Sequence, residues 1–192
     1  MKSKNHDEKM RMKRKLMLLT GGARSGKSSF AEKLAADNGK KVLYVATAYA
    51  GDEEMKERIV VHKAQRPDHW DTLEAQKNVG AAVKAYTGEF EIVLLDCMTM
   101  LTSNVIFSLP EPFTLEQVQA EMQFELDALV AAFQESHALW IIVTNEVGLG
   151  LVPDNYLGRV YRDVLGFANQ RLAKIADEVL FMVSGIPMKI KG

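Results

Sequence analysis

Lys27 and Ser28 close the run Gly21-Gly-Ala-Arg-Ser-Gly26-Lys27-Ser28, in which glycines, a lysine and a hydroxyl have the spacing of a phosphate-binding loop. Glycines at this spacing let backbone N–H groups turn inward around phosphate oxygens. A helix starting at the end of the run adds its partial positive charge. Lys27 would reach the β- and γ-phosphates, and the Ser28 hydroxyl would ligate Mg²⁺. The bland alternative is a glycine turn between packed elements. The apolar run before the loop and the helical pattern after it favour the phosphate loop.

Such a loop works with a carboxylate at the end of a second apolar strand, which holds Mg²⁺ through its water shell. Ile92-Val-Leu-Leu-Asp96 fits that description, so Asp96 is the candidate; its alternative role is to cap the next segment. Cys97 beside it reads as a small buried residue. A second signal lies in 51–67, where Arg58, His62 and Arg66 recur every four residues and share one helix face. Two guanidiniums beside an imidazole disfavour its protonation, so His62 would stay neutral and nucleophilic near pH 7. The same cations could receive an anionic phosphate, although the pattern also suits an ordinary surface helix.

These residues need a scaffold, and the chain supplies one. Short Val/Ile/Leu-rich runs at 16–20, 42–47, 92–96, 139–144 and 179–183 are predicted as strands buried on both faces. Helical patterns fall between them at 28–38, 52–66, 76–86, 115–135 and 155–176. Thr114 with Gln117 makes a capping-box start for the fourth. Strand–helix alternation predicts an α/β fold, a mostly parallel sheet with helices on both faces. Ligands in such sheets bind at the carboxyl ends of the strands, where Gly21–Ser28, Thr47–Gly51, Asp96–Thr99 and Thr144–Gly150 fall.

Composition narrows the function classes. With 47% apolar and 26% charged residues the chain has the mix of a soluble globular domain. The single Cys97 cannot form an internal disulfide, which predicts a cytoplasmic setting. No apolar run has the length of a membrane span. Residues 1–15 carry seven Lys/Arg against Asp7 and Glu8 and read as a basic, flexible extension to a single domain over 16–192. From 85 to 158 there are eleven acids and no Lys or Arg, unlike a nucleic-acid-binding face.

Taken in order, the motifs resemble those of the bifunctional adenosylcobinamide kinase / adenosylcobinamide-phosphate guanylyltransferase family of cobalamin biosynthesis. The resemblance rests on Thr20-Gly-Gly-Ala-Arg-Ser-Gly-Lys-Ser28, Tyr44-Val-Ala-Thr47, Asp52-Glu-Glu-Met, Arg58-Ile, His62-Lys63 and Arg66-Pro67. It continues in Leu94-Leu-Asp-Cys97, Val143-Thr-Asn-Glu-Val-Gly148, Gly150, Val152-Pro153, Asn169-Gln170, Ala176-Asp177 and Ser184-Gly185. It implies a RecA-like P-loop NTPase fold and two reactions. A nucleoside triphosphate, ATP or GTP, phosphorylates the aminopropanol hydroxyl of adenosylcobinamide. A histidine then takes GMP from GTP, releasing pyrophosphate, and passes it to the cobinamide phosphate.

That histidine falls on His62. The family's GTP contacts fall on Gly22, Ala23, Arg24, Ser25, Gly26, Lys27, Ser28 and Ser29, then on Ala46, Thr47 and Ala48. Further contacts fall on Lys63, Ala64, Gln65, Arg66, Glu74 and Asp96. A homotrimer with a site shared between neighbours is also implied. The chain departs from the pattern in two places. Val61-His62 stands where some members have adjacent histidines, and residues 1–15 lie outside the resemblance. Two rivals remain on sequence grounds. A kinase of another small alcohol would form no phosphohistidine, and a RecA-like DNA-dependent ATPase would bind DNA with a steep salt dependence.

Overall fold

The computed structural model describes residues 14–39, 41–49, 51, 53, 56, 57, 60, 63, 64 and 66–192. The sheet is built from β1 (Lys15–Gly21), β2 (Val42–Ala46), β3 (Asp71–Glu74), β4 (Ile92–Asp96), β5 (Leu139–Val143), β6 (Glu178–Val183) and β7 (Ile186–Lys191). Its order is β3-β2-β4-β5-β1-β6-β7, with every pairing parallel except β6–β7. The strand carrying Asp96 is therefore separated from the loop strand β1 by β5. The central strands are apolar and buried on both faces because helices cover both sides.

One face of the sheet is covered by α1 (Lys27–Asn38), whose Ala31 and Ala35 pack on Met17, Leu19, Tyr44, Leu94 and Ile141. Its small residues bring it close to the strands. The other face carries α2 (Val79–Ala85), α3 (Met98–Phe107), α4 (Leu115–Glu135) and α5 (Tyr156–Ile175) over Leu16, Leu18, Val45, Leu95 and Ile142. The capping box at α4 forms as expected: Gln117 N donates to Thr114 Oγ1 at 3.3 Å, and Thr114 N donates to Gln117 Oε1 at 2.8 Å.

Four elements differ from the sequence expectation. α3 was hidden because Met98-Thr-Met-Leu-Thr-Ser-Asn-Val-Ile-Phe107 has no polar stripe. Thr102 and Ser103 instead donate to the carbonyls of Met98 and Thr99, four residues back, at 2.9 and 3.3 Å. β3 and β7 are edge strands, one polar and four residues long, the other holding Pro187 and fully exposed. The 76–86 helix begins only at Val79, where Glu125, reaching across from α4, accepts from the backbone N–H groups of Asn78 and Val79. At the N-terminus Lys15 opens β1 and pairs with Glu178 at 2.7 Å. Arg14 donates to Gln134 O at 2.6 Å and stacks over Phe133.

α2 and α4 touch through Gly80. A Cβ there would fall 2.6 Å from Leu129 N and closer still to the Ala128 carbonyl. Gly80→Ala is therefore expected to destabilise the fold by about 3 kcal/mol or more, despite alanine's better helix propensity. Urea unfolding measures it, and an unchanged midpoint would show that the two helices can part freely.

Candidate functional site

The loop after β1 takes its shape from residues that tolerate positive φ. Gly21 sits at φ 147°, Arg24 at 57° and Gly26, the residue capping α1, at 90°. A side chain at Gly26 would also press on Gly185 Cα, 3.1 Å away. Gly185 lies in the two-residue turn of the β6–β7 hairpin, where Ser184 and Gly185 both have positive φ. Its N–H donates to Ser25 O at 2.9 Å, so the hairpin tip braces the phosphate loop from behind. Gly22, Ala23 and Arg24 are exposed on the open side, Ser28 is half-buried and Ser29 is exposed.

Lys27 is 6% exposed. Its Nζ donates to Gly22 O at 2.5 Å and to Ser25 Oγ at 3.3 Å, which folds it across the loop. Burial lowers its pKa, while the nearby Cys97 and Asp96 pull the other way. Lys27 and Asp96 are thus electrostatic neighbours across the sheet edge. The Cys97 thiol is pushed up to about 11, by burial first and the Asp96 charge second, which fits a packing residue rather than a nucleophile.

Asp96 does not cap the following helix; Cys97 is the residue at that position. Its Oδ2 accepts from Tyr44 OH at 2.7 Å. Burial, then the Asp96 charge, raises the Tyr44 hydroxyl far above its ordinary value, so it stays protonated as a donor. Arg66 lies over the Tyr44 ring, its guanidinium carbon 3.5 Å from the centroid. Two of its nitrogens, Nε and Nη1, are closed to solvent without a hydrogen-bond partner among the described residues. Lys63 pairs with Glu74 at the end of β3. Lys63, Arg66, Trp70 and Glu74 line a cleft of about 510 Å³.

Register explains why these residues meet. Ala46 stands opposite Asp96 on one side and Glu74 on the other, so the ends of β3, β2 and β4 form one ledge. Thr47, fully buried, fastens it: its hydroxyl donates to Cys97 O at 2.7 Å and accepts from Cys97 N at 2.8 Å. Asn104 of α3 donates to Thr47 O at 2.8 Å. Thr47 is thereby committed to the scaffold, between half-buried Ala46 and Ala48. Lys63 and Ala64 are helical and exposed, whereas His62, Arg58 and Gln65 lie outside the described residues.

Two features escaped the sequence reading. Tyr44 sits in an apolar strand, where an aromatic signals only β propensity. Glu146, in the loop after β5, donates its N–H to Gly21 O at 3.0 Å, a tie that no local pattern announces.

Together the ledge offers a loop of N–H groups, a buried lysine, a carboxylate and a stacked arginine, the parts needed to bind and polarise a nucleotide's phosphates. A family model described as cobinamide kinase / cobinamide phosphate guanyltransferase, CobU, matches residues 17–190. The bifunctional adenosylcobalamin biosynthesis protein CobU of Salmonella typhimurium is 44% identical over 181 residues, covering 92% of this chain and 99% of that protein. The bifunctional adenosylcobalamin biosynthesis protein CobP of Pseudomonas aeruginosa is 41% identical over 175 residues, 91% and 96% of the two chains. Among solved structures, the flagellar accessory protein FlaH from Methanocaldococcus jannaschii covers 98% of this chain and 85% of its own, at 14% identity and a TM-score of 0.49. On its phosphate loop and the match over residues 17–190, the chain belongs to the CobU family of cobinamide kinases / cobinamide phosphate guanyltransferases.

Proposed function

We propose that the chain phosphorylates the aminopropanol hydroxyl of adenosylcobinamide and then transfers GMP from GTP to the product, through a GMP–histidine at His62. The observation that carries this reading is buried Lys27 facing Asp96 beside a loop whose Gly22 has open space above it. In the first reaction Lys27 and the loop N–H groups hold the β- and γ-phosphates of ATP or GTP. In the second, the His62 imidazole forms a bond to the α-phosphorus while the bond to pyrophosphate breaks. Arg66 supports it: stacked on Tyr44, it lines the same cleft as Lys63 and Glu74 and is a cation that an anionic nucleotide would meet there. The covalent route lets one site serve two acceptors in turn.

Ser28 and Asp96 are the residues that would hold Mg²⁺. No cluster of three His, Cys, Asp or Glu able to hold a metal exists among the described residues. One carboxylate and one hydroxyl suit an ion that keeps several waters and takes its other oxygens from phosphates. Bound there, it would neutralise charge on the transferring phosphoryl group. We further read the chain as cytoplasmic and homotrimeric, with corrinoids rather than nucleic acid as partners. Among the described residues no helix is long and apolar enough to cross a membrane.

Incubating the protein with α-labelled GTP and Mg²⁺, then mapping the label, tests the reading. Label on His62 supports it, and unlabelled protein that still phosphorylates cobinamide would reduce the chain to a kinase. Asp96→Asn provides a second check. The amide keeps the shape and can still accept from Tyr44, so only the charge is lost. Activity is expected to fall roughly 10–100-fold with a higher Mg²⁺ requirement. The wild-type Mg²⁺ dependence in this variant would make Asp96 structural.

A further inference from the structure

A second cleft opens at the same sheet edge, on the face away from α1. Its floor is Leu18 and Thr20 of β1 with Val179 of β6, its wall is α5, and its volume is about 490 Å³. Thr20 on its floor immediately precedes the phosphate loop in the chain. We propose that it receives the hydroxyl-bearing tail of the cobinamide acceptor, and that Glu146 at its rim takes the hydroxyl proton in the phosphorylation step. This rests on the kinase reading given above.

Five observations support it. Glu146 is tied to the loop by its N–H bond to Gly21 O at 3.0 Å. Its Oε1 accepts from Gly148 N at 2.7 Å, which holds the carboxylate in place. Inside the cleft, Thr20 Oγ1 is shut from solvent and lacks a hydrogen-bond partner among the described residues. Such a hydroxyl is costly unless something polar satisfies it. Beside it the Asn169 amide is fixed, accepting from Thr144 Oγ1 at 2.7 Å and donating to Asn145 O at 2.9 Å. Finally, Gly166 of α5 leaves room: a Cβ there would meet nothing within 4 Å. A small, partly polar cavity suits an amide-linked alcohol tail, with the macrocycle left outside.

The other carboxylates of the edge are engaged. Asp96 accepts from Tyr44 and faces Lys27, Glu74 is paired with Lys63, and Asp163, which also lines the cleft, is paired with Arg162 at 3.3 Å. The Glu146 carboxylate instead accepts from a backbone N–H, that of Gly148. In the step, the substrate oxygen forms a bond to the γ-phosphorus and the bond from that phosphorus to the β–γ bridging oxygen breaks. The electron pair leaves with the nucleoside diphosphate, and the alcohol proton passes to the Glu146 carboxylate.

Two variants of the full chain test this with adenosylcobinamide and a triphosphate. Glu146→Gln can keep the bond from Gly148 N, and its kcat for phosphorylation is expected to fall roughly 10²–10⁴-fold with little change in cobinamide KM. Gly166→Leu should raise the cobinamide KM about tenfold or more, with nucleotide KM unaltered, because it fills the cleft. Both should still take label from α-labelled GTP, showing an intact nucleotide site. Wild-type kcat in Glu146→Gln, wild-type KM in Gly166→Leu, or loss of labelling in either would overturn the assignment. A wild-type protein that neither takes label nor phosphorylates cobinamide would instead overturn the functional reading beneath it.

Discussion

Lys27→Ala is expected to lower the rate of cobinamide phosphorylation roughly 10²–10³-fold or more, which is about 3–4 kcal/mol of transition-state stabilisation. The size follows from where the ammonium sits. Lys27 is buried at the first turn of α1, beside the loop N–H groups, and a charge in such a place is screened little by water. Its present partners are a carbonyl and a hydroxyl of its own loop, Gly22 O and Ser25 Oγ. Both are neutral acceptors that a triphosphate would replace with anionic ones. Burial already weakens its hold on the proton, and phosphate oxygens would reverse that effect. Alanine removes a mobile cation that can follow charge onto the β–γ bridging oxygen. Turnover measured across a nucleotide titration should show kcat down and nucleotide affinity weakened. Thermal unfolding near the wild-type midpoint would confirm that the loop still folds. Near-normal turnover would mean that the loop is not the phosphate site.

The residues behind that expectation were legible from sequence because their chemistry is local. Strand, glycine loop and helix occupy one continuous stretch, and each of the five hydrophobic runs is a local signal. Four became buried strands, while β6, expected to be buried on both faces, buries only Val179 and Met182 because the exposed hairpin strand β7 flanks it. What escaped reading depends on distant partners. Asp96 could be chosen as the end of an apolar strand, but the Tyr44 hydroxyl that meets it lies 52 positions away. Thr47 looked like a nucleotide contact, yet its hydroxyl is spent on both backbone groups of Cys97. The start of α2 was misplaced because its capping carboxylate, Glu125, belongs to α4. Edge strands β3 and β7 lack the two-sided burial that makes strand patterns visible. The brace from Gly185 to Ser25 joins two turns that only the assembled sheet brings together.

His62→Ala or His62→Asn is expected to abolish guanylyl transfer and the labelled intermediate, while leaving much of the phosphorylation of adenosylcobinamide. Under the proposed route the imidazole forms a covalent bond in the second reaction alone, and the first uses the γ-phosphate, Lys27 and the loop. His62 itself lies outside the described residues, but its neighbours bind the helix end to the site. Lys63 pairs with Glu74, and Arg66 stacks on the tyrosine that holds Asp96. Under the proposed route, a nucleophile one position before the first of these anchors is delivered to an α-phosphate at the same ledge, where proximity removes much of the barrier. The bond it forms would be a phosphoramidate, so wild-type label should be lost in acid and survive alkali. Val61 offers no second imidazole, and exposed His69 sits on a turn beyond Pro67. No neighbour should therefore rescue the variant. Label persisting in His62→Ala, or moving to His69, would sink the assignment.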